Sequence, residues 1–76
     1  MTTLLTKEEK INIINSHKRS LLYSQYNLEV DLIQENAKTT VDPENLATIN
    51  SQIAESQKQI DALTAEATRL TNLTEA

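Results

Sequence analysis

LATINSQIAESQKQIDALTAEATRL, residues 46–70, is the stretch that decides the fold of this chain. Apolar or small residues stand at Leu46, Ile49, Ile53, Ser56, Ile60, Leu63, Ala67 and Leu70. The steps between them alternate three and four without a break, which is the 3.5-residue period of a coiled-coil seam. A helix cannot bury so narrow a stripe against itself, so these residues predict a partner helix. Ser56 and Ala67 thin the seam, and the partner has to supply the larger share of the buried area.

The start of this helix is written just upstream. Asp42 is a strong N-cap, Pro43 at the first helical position loses no useful hydrogen bond, and Val41 with Leu46 occupies the positions of a hydrophobic staple. A second helix start lies at Thr6-Lys7-Glu8-Glu9, a capping box with acidic residues at the positive end of the helix dipole. These signals predict helix 1 over about 7–37, a turn over about 38–42 and helix 2 over about 43–72. Met1 to Leu5 reads as a leader and Leu73 to Ala76 as a frayed tail. Without glycine for a left-handed cap, the exit from helix 1 falls to Asn36 or Lys38. The residue before a proline is pushed out of helical conformation, which argues against one continuous rod. Equal helix lengths and a short connection make the expected fold all-α: a single antiparallel, coiled-coil-like two-helix hairpin.

Helix 1 carries a wider apolar face. On a wheel of 100° per residue, Leu28, Leu21, Ile14, Leu32, Ile11, Leu22, Ile33 and Tyr26 span roughly 160°, more than the approximately 100° that one neighbouring helix needs. Val30 and Tyr23 extend the face to one side. Helix 1 is therefore the element expected to meet two neighbours, one of them in another chain, and two hairpins could close into a four-helix or larger bundle. Ile14, Leu21, Leu22, Tyr23, Tyr26, Leu28, Leu32 and Ile33 are the candidate interface residues. Lys18, Gln25 and Glu29 project near the centre of the face. They either lay their stems along the seam with their heads in water or act as polar contacts that set register. Tyr23 and Tyr26, the only aromatics, either border the helix–helix interface or serve as anchors for a foreign partner.

Composition narrows the function. A chain of 76 residues with no cysteine, no glycine and a net charge of −4 lacks disulfides, thiolate metal sites and phosphate-cradling glycine loops. Charges balance up to Lys38, and helix 2 carries the acidic excess, which makes nucleic acid a poor partner. His17 is the only histidine and has no carboxylate at i±4, so no metal set and no nucleophile–base pair can be assembled around it. No catalytic, cofactor-binding or metal-binding residue, and no small-molecule substrate, is expected. No stretch approaches a membrane span and no secretory signal is evident, so a cytoplasmic location or a place in an intracellularly assembled particle is expected. A chain of this length buries only about 60% of its unfolded surface, so a lone copy is marginal. These features together predict a non-enzymatic structural or assembly module that self-associates or docks into a larger complex through the apolar face of helix 1. The alternative is a small acidic adaptor or chaperone holding a protein client.

Overall fold

The computed structural model describes residues 5–73, and the leader and tail predicted from sequence lie, apart from Leu5 and Leu73, outside them. The fold is an all-α hairpin of two helices, α1 (Lys7–Asn36) and α2 (Pro43–Asn72), of 30 residues each. Both helix starts obey the local chemistry. The Thr6 hydroxyl accepts from the Glu9 amide at 3.1 Å while the Glu9 carboxylate accepts from the Thr6 amide at 3.1 Å. Asp42 Oδ1 accepts from the Glu44 and Asn45 amides at 3.0 and 3.4 Å, with Pro43 as the first helical residue. Val41 and Leu46 are both half-buried, as a staple requires.

The eight seam positions of α2 are all buried or half-buried, and the rest of that helix, apart from the half-buried Glu66, is exposed. The matching stripe on α1 is Lys7, Ile11, Ile14, Lys18, Leu21, Gln25, Leu28, Leu32 and Glu35, again in steps of four and three and again buried or half-buried. Of the polar residues placed near the centre of the helix 1 face, Lys18 and Gln25 join this stripe and Glu29 does not: it is exposed. The physical reason is the mismatch between 3.6 and 3.5 residues per turn. A straight wheel drifts by about 20° per heptad relative to a supercoiled seam, so by the third heptad it points at the wrong residue.

Polar groups lock the register of the hairpin at three levels. At the open end, the Lys7 ammonium donates to the Leu73 and Thr71 carbonyls at 3.0 and 3.4 Å, placing a cation on the negative end of the α2 dipole. In the middle, Ser56 Oγ donates to the Leu21 carbonyl at 3.5 Å and Gln25 Nε2 donates to Gln57 Oε1 at 3.1 Å. At the closed end, Glu35 is 2% exposed, the most buried side chain among the described residues. Its Oε1 accepts from Lys38 Nζ at 2.9 Å and from the Asn45 side-chain amide, and its Oε2 accepts from the Asp42 amide at 3.1 Å. Glu35 thus does from the end of α1 what a glutamate at the third position of α2 does in a capping box: it satisfies the N-cap amide. At the exit of α1 the Ala37 amide donates to the Ile33 and Gln34 carbonyls at 3.1 and 3.2 Å and the Lys38 amide to the Glu35 carbonyl at 3.3 Å, so of the two residues expected to manage the exit it is Lys38 that takes part.

Hydrogen bonds from Lys38, Asn45 and the Asp42 amide, in that order, hold the Glu35 carboxyl at about 2, down from an ordinary value of 4.5. A depressed folded-state value stabilises the fold fully above the ordinary value, and that contribution is lost as pH falls from 4.5 towards 2. Glu35→Gln is therefore expected to melt below the wild type at neutral pH, with the gap in melting temperature closing across that acid range. A gap that stays constant with pH would show that the ionised carboxylate is not what holds the turn.

The core is thin. Among the described residues, the buried apolar side chains are Ile49, Ile60 and Leu70. The rod measures 61 × 21 × 14 Å, with a radius of gyration of 17.5 Å. A compact domain of this length has about 11 Å. Accessible surface tells the same story: 5867 Å² is exposed, against about 4,700 Å² for a compact monomer of this mass.

Candidate interaction surface

Once α2 has taken its half of the wide α1 face, the other half remains in water. Ile14, Leu21, Leu28 and Leu32 are half-buried in the seam between the two helices of the same chain. Leu22, Tyr23, Tyr26 and Ile33 are 50%, 62%, 62% and 65% exposed. The eight candidate interface residues thus fall into two groups, four that close the hairpin and four that face outwards. The tyrosines do not border the intrachain seam; both point away from α2.

The outward group is ordered by helix geometry. Arg19, Leu22, Tyr26, Glu29 and Ile33 follow one another in steps of three and four, so they form a second stripe displaced by one residue from the seam. Tyr23 and the half-buried Val30 flank it on the side away from α2. The Arg19 guanidinium lies 5.3 Å from the centre of the Tyr23 ring, and its Nη2 donates to the Tyr23 hydroxyl at 3.4 Å. With Leu22 and Tyr26 these two side chains line a shallow, largely apolar depression. Two tyrosines of this exposure contribute on the order of 200–300 Å², and with Leu22 and Ile33 they make a patch of the size that marks interaction sites on small proteins.

Other surface features are weaker. His17, Ser20 and Ser24 line an open groove with Leu21, Gln59, Ala62 and Leu63, and no carboxylate borders it. Ile13, 47% exposed, lies in a separate groove at the open end with Leu5, Leu70 and the Glu66–Arg69 pair. That pair is bidentate, at 2.7 and 2.6 Å. Its hydrogen bonds hold the Glu66 carboxyl below and the Arg69 guanidinium above their ordinary values. A second pair on α2, Glu55–Lys58, is looser at 3.9 Å and well exposed. Among the described residues no group of three or more His, Cys, Asp or Glu side chains gathers around a possible metal position, and no helix is long and apolar enough to cross a membrane.

Two residues with structural roles escaped the reading of the sequence. Lys7 and Glu35 both lie in seam register, and continuing the three–four spacing outward from Ile11 and Leu32 would have placed them at the two ends of the interface. The hydrophobic wheel passed over them because they are charged. No protein-family model, curated protein or solved structure matches this chain.

Proposed function

We propose that this chain is a non-enzymatic, self-associating structural module in which the hairpin is the building block and the outer face of α1 is the contact surface. The observation that carries this reading is the pairing of a thin core with an ordered apolar stripe. Three buried apolar side chains among the described residues are few for two helices of 30 residues, while Leu22, Tyr23, Tyr26 and Ile33 present their area to water. Covering that area favours association by roughly 25 cal/mol per Å² before the entropy lost on pairing is subtracted.

Sedimentation equilibrium on the purified chain tests the reading. A single discrete mass, a multiple of 8.5 kDa, is expected, together with a melting temperature that rises with protein concentration because association stabilises only the folded state. A monomer at every concentration, with a concentration-independent melt, would overturn it.

A further inference from the structure

We infer that two copies of this chain pair their α1 helices antiparallel across a two-fold axis midway between Tyr26 and Glu29, so that Leu22 of each lies over Ile33 of the other. This inference rests on the self-association just proposed and adds its partner, orientation and register.

The first support is angular. The seam that binds α2 and the outward stripe are displaced by one residue, and one residue of an α-helix is 100°. A helix at the corner of a four-helix bundle touches its two adjacent neighbours at close to a right angle. With α2 on one stripe and a second α1 on the other, α1 occupies such a corner, and the two-fold axis brings the second hairpin in with its own α2.

The second support is the content of the stripe. Read backwards, it complements itself. In an antiparallel pair the layers match a residue of one helix with a residue an equal distance beyond the axis on the other. Leu22 meets Ile33 of the second copy, and Tyr26 meets Glu29, whose carboxylate can accept from the phenol hydroxyl. Leu22, Tyr26 and Ile33 of the stripe then each have an apolar or hydrogen-bonding counterpart. A parallel pair would instead set each residue against its own copy, Arg19 on Arg19 and Glu29 on Glu29, two like-charge contacts within the interface. In the antiparallel register Arg19 stands opposite Asn36 of the second copy and is removed from its own counterpart.

Cysteine pairing tests the register, and the chain has no cysteine of its own to interfere. Leu22→Cys and Ile33→Cys proteins, both altered on the exposed face, are mixed and oxidised in a glutathione buffer. Antiparallel pairing brings the two positions within the about 4.4–6.8 Å between Cα atoms that a disulfide requires. Bridges joining one variant to the other are expected to exceed the statistical half and to approach all of the product. Tyr26→Cys with Glu29→Cys provides a second pair, at the layer beside the axis, with the same expectation. Bridges between like variants, or no bridge in a protein that sediments as an oligomer, would overturn the register while leaving self-association standing. A monomeric wild type in the same sedimentation experiment would overturn both.

Discussion

Ile60→Ala is expected to leave the hairpin largely unfolded at temperatures where the wild type is folded. Ile60 is 7% exposed and sits at the middle of the α2 seam, where the neighbouring seam position is Ser56 and cannot compensate. Truncating a buried isoleucine to alanine removes about 2–5 kcal/mol through lost burial and the cavity left behind. A chain of this length has about 4–11 kcal/mol in total, so one side chain carries a large fraction of it. For so small a domain the melting temperature should fall by more than about 10 °C, followed by far-ultraviolet circular dichroism. Ile13→Ala supplies the comparison, because Ile13 is 47% exposed and loses correspondingly less burial. Equal melting temperatures for the two variants would mean that the seam is not the core.

Tyr26→Asp is expected to abolish association without unfolding the hairpin. Tyr26 is 62% exposed and lies outside the intrachain seam, so the new carboxylate is solvated in the free hairpin. In the antiparallel pair it faces Glu29 of the second copy, and the two-fold axis makes the clash occur twice. Like charges set against one another in an interface cost several kcal/mol, which raises the dissociation constant by at least about 100-fold. Tyr26→Lys separates lost contact from repulsion. Its ammonium meets the same glutamate as an ion pair, so it should associate far more tightly than Tyr26→Asp when both are compared by sedimentation. If the two variants dissociate equally, Glu29 does not face position 26, and the antiparallel register is wrong.

The same separation of seam and stripe explains why a charge at Leu21 is a poor probe of assembly. Leu21 is half-buried against α2, and its carbonyl accepts from Ser56. A charged residue there strikes the hairpin itself before it can report on any contact between chains.

Much of this architecture is local, and what is local was legible in the residues. The α2 seam, the Thr6–Glu9 box, the Asp42-Pro43 start and the reversal of the chain between the helices depend on backbone geometry and on side chains within one or two turns. Sequence spacing fixes all of them. It also showed that the apolar face of α1 is too wide for one neighbour. What the sequence left open was which half of that face α2 would take. The two stripes are one residue apart, both contain leucine or isoleucine, and only the packing of a whole second helix chooses between them. Packing also decided the fate of the charged residues. Glu29 left the interface because the supercoiled seam drifts away from a straight helical wheel. Glu35 entered it because the turn carries the Asp42 amide and the Asn45 and Lys38 side chains to its carboxylate. Periodicity determines which residues share a face, and three-dimensional contact determines what each face is for.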